Sequence, residues 1–359
     1  MAFIKNIFLN VLSGASFTVA ALLVAVAYSD RVHPADHPLL ACAGMLMPVF
    51  LIANLLMLML WLMVKWRRAW IPIAGFIIAF PATRTYLPLH LSSDPPAGAI
   101  KVMTYNVAHY NRGGQGEPSL DTIHEYVRRQ NADIVCMQED WSFMKDTTRY
   151  ASLYPYNDTV HVSRPRSKYI NALGIHTRYP IVAKERIRYD SEANGSAAFY
   201  LLIDGDTVLV INNHLESTHL SKDDRERYAD IINGSMDREA ATAKTRMLIG
   251  KLSTAMATRS RQAEAVHHYI ESHRRYPIIV CGDFNDTPIS YVRRTIANGL
   301  TDCFVESGNG LGISYNQRGF VFRIDHIMCS NHYGPHGCFV DSHITASDHY
   351  PVVCWLLKR

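Results

Sequence analysis

The chain contains no phosphate-cradling loop of the form GxxxxGK[ST] or GxGxxG and no GxSxG nucleophile turn, which removes three common catalytic machineries. Its seven cysteines form no CxxC pair, so nothing points to a thiolate zinc site. No low-complexity tract or internal repeat is present, which excludes a solenoid. Charged residues make up only 19% of the chain, and the net charge of +4 permits a polyanionic partner without demanding one. The shortage of charge is local. Residues 8–28 and 39–64 contain no charged side chain at all, and each is long enough to cross a hydrocarbon core of about 30 Å.

Both segments read as membrane spans. A third apolar stretch begins at Trp70 but is interrupted by Pro81 and Arg84; it is expected to complete a membrane region over residues 1–87 with three transmembrane helices. A cleaved signal peptide is the competing reading of the first segment. Two further apolar segments and the lack of a small-residue cleavage pattern argue against it. Lys5 and the Lys65, Arg67, Arg68 cluster fall on one side after two crossings, against a lone Arg31 in the first loop, which marks that side as cytoplasmic. Three spans therefore place everything beyond residue 90 on the non-cytoplasmic side, whereas two would leave it in the cytoplasm.

Residues 88–98, rich in proline and serine, read as a linker, and residues 99–359 as one domain with a sizeable core. Within it, apolar β-branched runs at 99–108, 133–140, 171–182, 197–204, 207–215, 277–285, 321–330 and 349–357 predict strands. Helical patterns start at Ser119 and Ser260, and a polar helical stretch covers Lys222 to Met256. Helices falling between nearly continuous apolar strands predict sheet layers covered by helices.

Several strands end in polar groups. Alternation places Asn106 with Val102 and Thr104, Glu139 with Val135 and Met137, His214 with Val210 and Asn212, and Asp283 with Ile279 and Cys281. Asp325 sits in a fifth strand, and Ser347, Asp348 and His349 precede the last. Carboxylates at the edge of a core are very costly without partners, so these groups are expected to meet one another or a cation. A donor set of carboxylates, amides and histidines without thiolates suits Mg²⁺, Mn²⁺ or Ca²⁺. Singly, each motif has a bland reading: GDFN as a turn, Glu139 as a solvated strand end, His349 as a core histidine.

The ordered set TYN (104–106), MQED (137–140), NNHL (212–215), GDFN (282–285), RIDHI (323–327) and SDH (347–349) resembles the endonuclease/exonuclease/phosphatase superfamily, with its deoxyribonuclease I-like members. The likeness covers residues 99–359 and none of the membrane region. It implies a four-layer α/β sandwich, two packed mixed sheets flanked by helices with the site at their open end. It implies a metal-dependent phosphoric ester hydrolase using Mg²⁺, or Mn²⁺ in its place, with Glu139 as principal ligand and Asn106 and Asp348 beside it. His214 would then hydrogen-bond a phosphate oxygen, Asp283 and Asn285 would position the attacking water, Asn106 and Asn285 would also touch substrate, and Asp325 would orient His349. The resemblance leaves the general base open between Asp283 and the Asp325 and His349 pair. His326, where the family commonly has an aromatic, is expected to serve packing.

For substrate, Arg164, Arg166 and Lys168 beside Tyr169 read as a patch that could follow a nucleic-acid backbone, or as an ordinary basic loop. They tip the expectation slightly toward nuclease-type activity. A membrane tether suggests instead a phospholipid, sphingomyelin-type or inositol-phosphate ester. A non-catalytic binding domain is disfavoured because each matching catalytic position is filled. The partners expected are a phosphate ester, nucleic acid or phospholipid, and the lipid bilayer.

Overall fold

The computed structural model describes residues 2–91, 94–110, 118–140, 150–167, 170–218, 238–317 and 320–359. The chain opens with α1 (Ala2–Ala27), a single turn α2 (Pro38–Ala41), α3 (Met47–Val64), α4 (Trp70–Ile78) and α5 (Phe80–Tyr86). The segments Phe3–Arg31 and Pro38–Val64 are long and apolar enough to cross a membrane. The third apolar stretch is broken instead: α4 stops at Ile78 and α5 restarts at Phe80, with Pro81 in its first turn, where the lost N–H costs nothing. α1 packs on α3 and α4. Their outer faces carry Phe8, Val11, Phe17, Val49, Ile52 and Leu56, all exposed, a pattern suited to an apolar solvent.

Two six-stranded mixed sheets follow, flanked by helices. The first is ordered β13-β14-β1-β2-β4-β3 and the second β5-β6-β7-β8-β12-β9, with a separate β10-β11 hairpin. In the first, β1 (Ile100–Asn106) lies parallel to β2 (Ile134–Gln138) and antiparallel to β14 (Val352–Lys358); β3 (Tyr156–His161), β4 (Ala172–Thr177) and β13 (Tyr333–Val340) complete it. In the second, β7 (Asp206–His214) is parallel to β8 (Ile278–Asp283), and the rest, β5 (Ile181–Ile187), β6 (Gly195–Ile203), β12 (Asp325–Cys329) and β9 (Thr301–Asp302), pair antiparallel. The hairpin joins β10 (Tyr315–Gln317) to β11 (Phe320–Phe322).

The facing sheet surfaces share a core that includes Val102, Cys136, Val210, Ile279, Ile327 and Val352. The outer face of the first sheet is covered by α6 (Pro118–Gln130) through Ile123 and Val127. On the second, α7 (Arg238–Ser272) packs Ala263, Val266 and Ile270 over Leu209 and Val280. The two helical patterns expected around Met256 and Ser260 are therefore one 35-residue helix. α8 (Tyr291–Ile296) and α9 (Cys303–Ser307) are short; Ser290 and Asp302 cap them by accepting backbone N–H bonds.

The apolar region meets the sandwich through the segments around His33, Gly44 and Arg84. Arg323, fully buried, donates to the Thr85 and Leu311 carbonyls and stacks over Phe304. Arg84 pairs with Glu306 at 2.7 Å, His33 with Glu264 at 3.0 Å, and the expected linker is anchored by a Gly310 N–H donated to Pro88 O. Gly44 lies so close to Ile289 that a Cβ there would come within 1.9 Å of its carbonyl oxygen.

Candidate active site

β1, β2, β7, β8 and β12 and the loop before β14 deliver their terminal polar side chains to one cavity of about 240 Å³. Asn106, Glu139, His214, Asp283, Asn285, Asp348 and His349 line it. Asp325 lies one step behind, its Oδ2 2.9 Å from His349 Nδ1. Eight of the eleven expected site residues are thus brought together. Arg164 and Arg166 do not line the cavity, and Arg164 is engaged with Asp190. Lys168 lies outside the described residues.

Two strand ends reach the cavity by breaking their own alternation. In β2 the residues facing the opposite sheet are Ile134, Cys136 and Gln138, while Val135 and Met137 face α6. Glu139 therefore does not share an inward face with Val135 and Met137, as simple alternation predicts. Its φ of +56° turns the chain and swings the carboxylate back toward the other strand ends. Asn285 is likewise left-handed, at φ +52°. In β8 it is Gly282, at φ +129°, that lets the strand press on β7; a Cβ there would lie 2.0 Å from Asn213 O.

Asn106 donates its amide N–H groups to Asp283 Oδ2 at 3.0 Å and Glu139 Oε1 at 3.3 Å, and its Oδ1 accepts the Ala108 N–H. His109 Nε2 stands 3.1 Å from Glu139 Oε2. Burial first, and then the neighbouring Asp348 charge, push Glu139 up to about 7. Its side chain remains 21% exposed, on the cavity side.

Burial disfavours the charged form of His214 as well, and pulls its imidazole down to about 4. Asn171 Nδ2 donates to His214 Nδ1 at 3.0 Å, so the ring proton sits on Nε2, which points between Glu139 and Asp283. His349 is buried too, but the Asp325 and Asp283 carboxylates outweigh that burial and hold its imidazole well above the ordinary value. Its Nε2 lies 3.6 Å from Asp283 Oδ2. Burial raises Asp283 despite His349, and its Oδ1 accepts the Asn285 N–H at 2.8 Å. The Asn285 amide donates to Leu215 O at 2.9 Å.

Beneath the cavity Gln138 Nε2 donates to Thr104 Oγ1 and to Asn212 Oδ1 at 2.7 Å, tying the two sheets together under the site. His326 is fully buried against Phe284 and 3.7 Å from Asp302, in the packing role expected of it.

Sequence reasoning missed several lining groups. Arg259 of α7 is the one arginine or lysine among the described residues that lines the cavity. It is buried, bonded to Asp286 Oδ2 at 3.3 Å and to Glu216 O at 3.0 Å. Tyr315 packs its ring 4.9 Å from that of His349. Met45, Leu252 and Met256 supply apolar wall, Met45 from the N-terminal region. No spacing rule links these positions; the only available signal was that the 222–256 stretch follows His214.

The donor set also fits a divalent cation. Glu139 and Asp348 repel one another across the cavity, and both carry hard oxygen donors. Ligand atoms of Asp283, Asp325 and His349 also lie within 4.8 Å of one another, with the imidazole set between the two carboxylates.

The fold and this constellation define a phosphoester hydrolase, and the comparisons agree. The model of the Endonuclease/Exonuclease/phosphatase family matches residues 103–349, and the chain belongs to that family. A second model, of a domain of unknown function, matches residues 7–86. No curated protein matches the sequence significantly. Among solved structures the chain is similar to the human Nocturnin catalytic domain with bound sulfate, with 17% identity, a TM-score of 0.53, and 75% of this chain and 100% of that one covered. It is similar to a Bacteroides thetaiotaomicron mannosyl-6-phosphatase, with 20% identity, a TM-score of 0.51, and 72% and 99% covered. D. rerio TDP2 complexed with a single-strand DNA product gives 13% identity, a TM-score of 0.51, and 73% and 100% covered. These likenesses concern the fold.

Proposed function

We propose that the protein is a membrane-anchored, divalent-metal-dependent phosphoesterase acting on phosphodiester or phosphomonoester bonds. The observation that carries this reading is the convergence of Asn106, Glu139, His214, Asp283 and His349 from separate strand ends into one cavity.

Glu139 and Asp348, with Asn106 beside them, would hold Mg²⁺ or Mn²⁺. Bound there, the cation would polarise a phosphoryl oxygen and offset charge on the leaving oxygen. The chain's own residues do the rest. Neutral His214 donates its Nε2–H to a phosphate oxygen. Asp283, raised by burial and held by the Asn285 N–H, takes the proton of a water as that water's oxygen bonds to phosphorus and the bond to the leaving oxygen breaks. His349, kept protonated by Asp325, stabilises the equatorial charge that grows in this step.

Residues 1–87 form the anchor and residues 99–359 the catalytic domain. Contacts to the sandwich come from residues at the end of α1, the start of α3 and the end of α5, which supports three crossings, with α4 and α5 together making the third. The Lys65, Arg67 and Arg68 turn then lies at the far end, and the catalytic domain on the non-cytoplasmic side.

The test is turnover of bis(p-nitrophenyl) phosphate and p-nitrophenyl phosphate by the full-length protein in detergent. Activity with Mg²⁺ or Mn²⁺ that is lost with chelator and in Glu139→Ala supports the reading; chelator-resistant activity, or none on either ester, rejects it.

A further inference from the structure

A soluble phosphoesterase with an unrelated anchor has no reason to build its active site from the anchor, yet here the two are continuous. Met45 belongs to the 3₁₀ turn Cys42–Leu46 that leads into α3, and its side chain lines the same cavity as Glu139 and His349. The turn is fixed in place: Gly44 is pressed on the Ile289 carbonyl, and Cys42 Sγ lies 3.3 Å from Met256 Sδ. Beside this turn, α7 presents Leu252 and Met256 one turn apart, continuing from Leu248. The cavity lining thus joins thioether and isobutyl groups to carboxylate, amide and imidazole.

This apolar wall leads outward to lipid-suited surface. Leu46, the next residue, is 48% exposed, and Val49 on the first turn of α3 is 56% exposed. Leu39 and Leu40 of α2 are also exposed on the same connection. Among the described residues the polar side offers one arginine and no lysine, the paired Arg259, rather than a stripe of basic groups such as a nucleic-acid backbone requires.

We propose that the substrate is a phosphoester carried on a bilayer lipid, its phosphate received by the polar strand ends while its apolar portion passes along Met45, Leu252 and Met256 toward the membrane face of α3. The proposal rests on the phosphoesterase reading above and names the substrate class for that same site.

The experiment uses the full-length protein reconstituted in nanodiscs. Three probe groups are compared in the presence of Mg²⁺: vesicles of phosphatidylglycerol and phosphatidic acid, the corresponding water-soluble glycerophosphoglycerol and glycerol 3-phosphate, and single-stranded DNA. We expect at least one lipid to be hydrolysed about tenfold or more faster, in kcat/KM, than its chainless counterpart and than DNA. Met45→Gln is expected to lower lipid turnover about tenfold more than it lowers turnover of the soluble ester, and Met45→Leu to restore the ratio. Faster cleavage of DNA, equal rates on lipid and chainless ester, or a lipid-to-soluble ratio unmoved by Met45→Gln would overturn the proposal. Any of these, with bis(p-nitrophenyl) phosphate still hydrolysed, leaves the phosphoesterase reading standing. No turnover of any ester overturns both.

Discussion

Replacing Asp325 with asparagine removes one negative charge while keeping the size and one acceptor of the side chain. Asp325 Oδ2 lies 2.9 Å from His349 Nδ1, and both groups are buried, with 1% and 7% of their side chains exposed. At that separation and an effective dielectric constant near 20, the pair interacts by about 6 kcal/mol. Burial opposes the imidazolium, so once Asp325 is gone Asp283, 3.6 Å from Nε2, and the weaker influence of Asp348 are left to support it. Losing that attraction lowers the imidazole from its raised native value. The direction follows from the raised native value: the charged imidazolium is present below its pKa and disappears as pH rises through it. The alkaline limb of kcat/KM is therefore expected to move down toward neutral pH in Asp325→Asn. At pH 8, kcat should fall by about 10²–10³ because the developing phosphate charge loses its cationic partner. A pH-rate profile with bis(p-nitrophenyl) phosphate, paired with the histidine NMR titration of both proteins, reads this directly. An unmoved alkaline limb with less than a threefold loss of kcat would refute the assignment of His349 as a protonated stabiliser.

Three further outcomes follow from the geometry. Gly282→Ala forces a Cβ to within 2.0 Å of the Asn213 carbonyl at φ +129°, so the variant should lose at least ~3 kcal/mol of stability, or roughly 6–12 °C in thermal melting. Asp302 accepts Arg293 Nε and Nη2 at 2.9 and 2.8 Å; although burial raises it, Arg293 and His326 hold its carboxyl far below the carboxylate range. Its contribution is present above the unfolded carboxylate pKa and lost only as pH falls through the depressed native one. Asp302→Asn should therefore cost about 3 kcal/mol in urea unfolding at pH 7, with the gap to wild type narrowing only in strong acid. Glu139, raised to about 7, competes with protons for the cation, so Mg²⁺ affinity by calorimetry should weaken up to about tenfold per pH unit below 7 and level off above it.

The sandwich was legible because its central strands are both apolar and β-branched. β1, β2, β7 and β8 occur where the runs at 99–108, 133–140, 207–215 and 277–285 predict them, to within a few residues at each end. The strands missed are edge strands. β3 reads YNDTVH and is half exposed, and β13 carries Pro335, Gly334 and Gly337 with a register shift near His336, so neither has the apolar run that marks a buried strand. The run at 171–182 proved to be two strands, β4 and β5, split by the turn at Arg178–Pro180. For the site, motif order located the residues but not their geometry. Alternation placed Glu139 on the face of Val135 and Met137, which is the α6 side; only the left-handed turn at Glu139 brings it to the cavity, and a single non-glycine residue of positive φ leaves no pattern in sequence. Arg259 and Met45 reach the cavity from a long helix and the apolar region, and His109 reaches Glu139 from a tight turn. Their distances from the motifs are set by tertiary packing, which no periodicity encodes.

The most direct measurement is Mn²⁺ binding to the full-length protein, followed by electron paramagnetic resonance of free and bound ion, in wild type, Glu139→Ala and Asp348→Asn. One tightly bound ion in wild type, weakened at least tenfold in each variant and competed by Mg²⁺, is the outcome expected of a cation held between Glu139 and Asp348. Equal binding in all three proteins, or none in wild type, would contradict it.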